Sequence, residues 1–149
     1  MSLRIELQRR VRSWAPPAHE LGRWASAALG RRARGRELEV CLVGAAESAR
    51  LNERYRGRAR PTNVLSFPAA PLPGGAPQPL GELILCPKVL RAEARSSDKP
   101  LRAHWAHLIV HGTLHLIGYD HQAPAAARRM ERREVAVLRR LGFANPYRS

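Results

Sequence analysis

Apolar positions recur along this chain with two periods, and the switches between them mark off its elements. Leu3, Ile5 and Leu7 alternate with polar neighbours, which predicts a half-buried strand. Residues 16–29 carry apolar side chains at helical spacing behind Pro16 and Pro17, where a missing backbone N–H costs a helix nothing. ELEVCLV, residues 37–43, predicts a second strand, and residues 46–55 a second helix on which Leu51 and Tyr55 share a face. Two more strands are predicted over residues 64–67 and 82–86. The segment that joins them, PAAPLPGGAPQPLG, is too rich in proline and glycine for regular structure through most of its length, so it reads as a loop and not as a domain boundary.

Beyond Pro87 the pattern is helical to the end. Residues 87–95 predict a short helix, and after Pro100 the run LRAHWAHLIVHGTLHLI predicts one long, strongly apolar helix that stops at Gly118. A last amphipathic helix over residues 123–141 closes on Gly142, and the tail ANPYRS is irregular. No internal repeat is present. The expected fold is α+β: a single domain over residues 1–149, with a small mixed sheet of about four strands packed with about five helices.

Charge narrows the choice of partner. Lys and Arg number 26 against 12 Asp and Glu, a net charge of +14, and Lys88 and Lys99 are the only lysines. An arginine-dominated surface attracts polyanions, and the planar guanidinium suits phosphate, so nucleic acid is the first partner to expect. Such a surface also argues against most small-molecule enzymes. Cys41 and Cys86 each lie in a short apolar run and read as buried thiols, with no disulfide framework or cysteine metal site. No apolar stretch reaches membrane-span length and the first ten residues contain no signal-like run, so a soluble, cytoplasmic protein with no membrane partner is expected. No pattern specifies an oligomeric state.

The candidate chemistry lies in the long helix. His111 and His115, four apart, aim two imidazoles from one helical face, and Gly118 can take the left-handed conformation that returns His121 toward the same point. Three neutral imidazoles plus one water make the donor set of a catalytic zinc, so one Zn2+ is expected. A lone histidine on an apolar helix would read as packing; three at this spacing with a glycine between do not. His104 and His107 extend the row, and His107 reads as a packing residue or as a neighbour that orients a ligand. The ligand spacing is that of metzincin zinc proteases, whose general-base glutamate follows the first histidine; that position is Gly112, so the peptidase proton acceptor is missing. Asp120 at the turn reads first as a local hydrogen-bond acceptor, with orientation of a ligand or of water as the alternative.

HLIVHGTLHLIGYDH, residues 107–121, resembles the signature H-G-x-L-H-L-x-G-Y-D-H of the YbeY family of bacterial ribosomal RNA maturation endoribonucleases. LNERYRGRARPTNVLSFP, residues 51–68, GELIL at 81–85, and the closing helix with Met130, Glu134 and LGFANPY extend the likeness over residues 37–147. Glu82 departs from the family's more frequent aspartate. The resemblance implies zinc on the three histidines, a functional arginine at Arg56, and single-strand-specific cleavage of RNA in ribosomal RNA processing, including 3′ maturation of small-subunit RNA and ribosome quality control. It further implies the small ribosomal subunit and ribosome-associated assembly proteins as partners. Arg54, Arg58 and Arg60 read as solvated charges beside Arg56. Two other readings stay open: an RNA-binding assembly factor with a mainly structural zinc, and a metal-dependent hydrolase of another substrate class.

Overall fold

The computed structural model describes residues 3–74 and 78–148 and contains β1 (Arg4–Arg9), α1 (Ala18–Leu29), β2 (Arg36–Leu42), α2 (Ala45–Arg56), β3 (Val64–Pro68), β4 (Gln78–Leu85), α3 (Pro87–Ser96), α4 (Leu101–Leu116) and α5 (Pro124–Arg140). A short 3-10 turn, Gly30–Ala33, follows α1. The strands form one mixed sheet in the order β1-β2-β4-β3; β1 and β4 both run parallel to β2, and β3 runs antiparallel to β4. The α+β class with four strands and five helices is therefore the observed one. Residues 75–77 of the proline-rich loop lie outside the described residues, and Gln78 ties the part before them back by exchanging two hydrogen bonds with the backbone of Leu72.

Alternation along the strands divides the apolar residues between the two faces. Leu38, Val40 and Leu42 of β2 and Leu83 and Leu85 of β4 point to the main core with Leu21 and Trp24 of α1 and Ile109 and Leu114 of α4. Cys41, Leu65 and Ile84 occupy the opposite face, where Leu51 of α2 packs on them. Both cysteines are buried free thiols. Among the described residues no helix is long and apolar enough to cross a membrane.

β4 starts earlier than its sequence pattern predicts, inside the proline-rich stretch. β3 ends at Pro68, opposite Gly81, so residues 78 and 79 pair on the β2 side alone, and Pro79 sits at a local sheet edge where its missing N–H is tolerated. Gly81 makes the crowded crossing possible. Its φ is 146°, and a Cβ there would lie 2.4 Å from the carbonyl oxygen of Phe67.

α4 runs through the middle of the molecule and packs against α1, α3, α5, β3 and β4. A helix covered on nearly every side must be apolar nearly all round, which is why its sequence shows no single apolar stripe. Gly112 allows the closest approach: a Cβ there would meet Leu83 Cδ2 at 2.8 Å and Ser66 Oγ at 3.3 Å. The position that carries a glutamate in the zinc proteases thus faces the sheet, and a carboxylate has no room there.

Candidate metal centre

From Trp105 to Leu116 the residues of α4 are buried, except for His107, His111 and His115, which are half-buried. Spacings of four place these three on one stripe. The helix then ends as Gly118 permits. With φ at 103°, Gly118 donates its N–H to His115 O (3.1 Å) while Tyr119 donates to Leu114 O (3.0 Å), the paired bonds of a Schellman turn. The chain reverses, and the His121 ring comes to 5.6 Å from that of His111 and 4.7 Å from that of His115. One nitrogen of each lies within 4.8 Å of the others, so the three residues singled out in the sequence are brought together as a group that could hold a metal ion. Imidazole nitrogens in this number suit zinc or a similar first-row ion.

A residue that sequence reasoning gave no role holds the group in place. Glu134 of α5 is fully buried, and its carboxylate accepts from His111 Nδ1 (2.6 Å), from His107 Nε2 (2.9 Å) and from the Tyr147 hydroxyl. Burial alone would raise its pKa; the hydrogen bonds from His107 and His111, the charge of His111 and the Tyr147 bond outweigh that and hold it at about 2. An ionised acceptor at Nδ1 fixes the proton of neutral His111 there and leaves the Nε2 lone pair for a metal. His107, His111 and Glu134 also converge closely enough to be a second ligand group. That carboxylate is closed off from solvent and both its oxygens are already engaged, so its place is behind the ligands. His107, read from the sequence as a packing or an orienting residue, shares that carboxylate with His111. The signal for Glu134 was present in the sequence: Met130, Glu134, Val137 and Leu138 form the buried stripe of α5, and a carboxylate on such a stripe needs partners.

His115 stands ready in its neutral form. Burial first, then the neighbouring His111 and His121, push its pKa down to about 4, so it is uncharged at neutral pH, with one ring nitrogen free to ligate. Asp120 does what an Asp at a turn usually does, its Oδ1 accepting the Gln122 N–H at 3.1 Å.

Arg56 approaches from the other side. It ends α2, where Gly57 turns left-handed with φ at 74°. Two buried polar residues of α2 then strap the following loop: Asn52 donates to Arg60 O (2.9 Å), and Ser48 Oγ bonds both the N–H and the carbonyl of Thr62 (2.9 and 3.2 Å). Arg56, at the end of α2, lines an open cleft with His111, His115 and His121. Arg58, read from the sequence as a solvated charge, lines the same cleft. Arg54 instead lies over the ring of Tyr55, 5.8 Å from its centre.

This fold and site define a class: small α+β proteins in which a central helix and the turn after it present three histidines to an arginine-walled cleft. The family itself is shown by sequence. The model of the family described as Endoribonuclease YbeY matches residues 9–142, and the chain belongs to that family. Proteins named Endoribonuclease YbeY are similar along nearly the whole chain: 48% identical in Methylococcus capsulatus, covering 97% of this chain and 95% of that protein, and 49% identical in Alkalilimnicola ehrlichii, covering 99% and 92%. A third, from Halorhodospira halophila, is 45% identical and covers 97% and 96%. Among solved structures, the solution structure of TM1509 from Thermotoga maritima shares the fold, with a TM-score of 0.57, 22% identity and 99% of each chain covered.

Proposed function

We propose that this protein is a zinc-dependent endoribonuclease specific for single-stranded RNA. We assign it to ribosomal RNA processing in the cytoplasm, including 3′ maturation of the small-subunit RNA and ribosome quality control. The small ribosomal subunit and its assembly proteins are its partners in that setting. The observation that carries the reading is the placement of Arg56 and Arg58 in the same cleft as His111, His115 and His121. The nuclease names of its close relatives support the substrate class.

His111, His115 and His121 would hold the zinc, which when bound supplies Lewis acidity and makes water a nucleophile near neutral pH. Glu134 keeps the proton of His111 on Nδ1. Arg56 and Arg58 bind the phosphate and neutralise the charge that grows on its oxygens during cleavage. The remaining arginines hold the RNA backbone without reading sequence. Gly112 removes the proton acceptor that peptide hydrolysis by this ligand spacing requires.

The test is cleavage of a single-stranded RNA by wild type, His115→Ala and Arg56→Ala. Arg56→Ala should keep its zinc and cut at least about a hundredfold more slowly, the scale for losing one donor to a developing oxyanion. His115→Ala should lose both zinc and activity. Wild-type rates in both variants would mean that the cleavage resides elsewhere.

A further inference from the structure

Beside the metal cleft lies a second pocket of about 780 Å³, which shares Asn63 and His111 with it. Its walls differ from those of the cleft. No arginine lines it; Val89, Ala92 and Leu108 make much of the surface, and Lys88 and Glu93 are its charged residues of fixed sign. On a molecule of charge +14, a carboxylate facing a pocket next to the candidate reaction centre calls for a ligand of particular chemistry. Glu93 repels a phosphate and accepts hydrogen bonds.

Glu93 is fixed in place. Its Oε1 accepts from His104 Nε2 at 2.8 Å, and both oxygens lie 3.2 Å from Asn63 Nδ2. Asn63 is itself pinned, its Oδ1 accepting the Val64 N–H at 2.6 Å. Burial works against the charge of Glu93, but the bonds from His104 and Asn63 overcome it and lower its pKa, so it remains an ionised acceptor. A carboxylate offers about four acceptor sites; His104 and Asn63 take both on Oε1 and Asn63 one on Oε2, which leaves one site open at Oε2 of this pocket-lining residue. Tyr147 adds an aromatic surface. It lines the same pocket, is 47% exposed, and is held by its hydroxyl on Glu134 and by an edge-on contact with His107, ring centres 5.4 Å apart. A rigid, half-exposed ring next to apolar walls is a surface on which an unpaired base stacks.

We infer that this pocket takes one unpaired base of the RNA strand lying in the metal cleft, and that Glu93 selects guanine there by accepting from its Watson–Crick edge. The inference rests on the RNA reading above and deepens it. With one acceptor site open at Oε2, guanine alone can donate there and still set a second donor, N1–H or the 2-amino group, beside the carboxylate. Adenine and cytosine set an acceptor nitrogen beside their single amino group, and uracil places carbonyls on both sides of its single N–H; each acceptor meets the carboxylate unfavourably. Cleavage is therefore not indifferent to sequence: a guanine at one fixed distance from the cut is preferred.

The experiment digests a random-sequence single-stranded RNA pool with zinc-loaded wild type, Glu93→Gln and Ala92→Trp, and reads the bases flanking each cut. Wild type should show guanine enriched at one position by roughly five- to a hundredfold, the range for one mismatched base. Glu93→Gln, which presents an amide donor to one of those guanine donors, should abolish the enrichment, and Ala92→Trp should do so by filling the pocket. Zinc content and melting temperature of each variant separate this loss from misfolding. A flat base profile from wild type that does cut RNA, or guanine enrichment kept in Glu93→Gln, overturns the inference and leaves the nuclease reading standing. No cleavage of any RNA by wild type overturns both.

Discussion

Replacing Glu134 with glutamine tests the brace behind the histidines with almost no change of shape. The carboxylate accepts three hydrogen bonds, from His107 and Tyr147 on Oε1 and from His111 Nδ1 on Oε2. An amide has one oxygen. If it faces His107 and Tyr147, its NH2 confronts the Nδ1 proton of His111; if it is flipped, it confronts two donors. The milder arrangement leaves one donor facing another in a site with no exposure to water, which costs about 1–3 kcal/mol. His111 can escape by moving its proton to Nε2, but that is the nitrogen left for the metal, so the cost moves from folding to metal binding. At ~1.4 kcal/mol per factor of ten this corresponds to a zinc affinity weaker by roughly ten- to a hundredfold, the range for loss of a ligand's hydrogen-bond partner. Competition with a chromophoric chelator measures it directly, and a thermal melt of the metal-free protein checks the fold. Zinc affinity within twofold of wild type would refute the claim that Glu134 sets the His111 tautomer.

Two further predictions concern stability. Gly81→Ala places a Cβ where the Phe67 carbonyl oxygen lies 2.4 Å away, at a φ of 146°, so it should cost about 2 kcal/mol or more and lower the melting temperature by several degrees; an unchanged melt would contradict the close β3–β4 crossing. The metal-free protein should also weaken in acid, with both buried groups acting in the same direction. His115, lowered from 6.5 to about 4, stays neutral in the fold, so its contribution is complete above pH 6.5 and is lost as pH falls to 4. Glu134, lowered from 4.5 to about 2, contributes fully above pH 4.5 and loses that contribution as pH falls toward 2. Urea titrations of chelator-treated protein should therefore give a plateau above pH 7 and a decline below about 6.5; constant stability from pH 7 to 4 would refute the His115 assignment.

Much of this protein was legible from the order of its residues, because local physics decides those parts. Alternation fixed the faces of β1 and β2, prolines marked where helices begin, and Gly118 announced the turn that returns His121. The three histidines were readable for the same reason: two lie one helical turn apart and the third follows within six residues, so no distant contact is needed to bring them together. The Arg56 assignment came from family resemblance, and its meeting with the histidines depended on chain folding over more than fifty residues.

Tertiary structure alone decided the remainder. The start of β4 inside a proline-rich stretch depends on where β3 stops, which no window around Pro79 contains. Gly112 looked like a missing catalytic base, and only the approach of α4 to Leu83 and Ser66 shows that the position faces the sheet. Arg58 enters the cleft because Ser48 and Asn52 strap its loop to α2. Glu134 lies 23 residues from His111 and Glu93 lies 11 from His104, so their roles come from helices packed side by side. Periodicity tells which side of a helix is buried. What is buried against that side, and so whether a charge there is paired, is settled only when the elements meet.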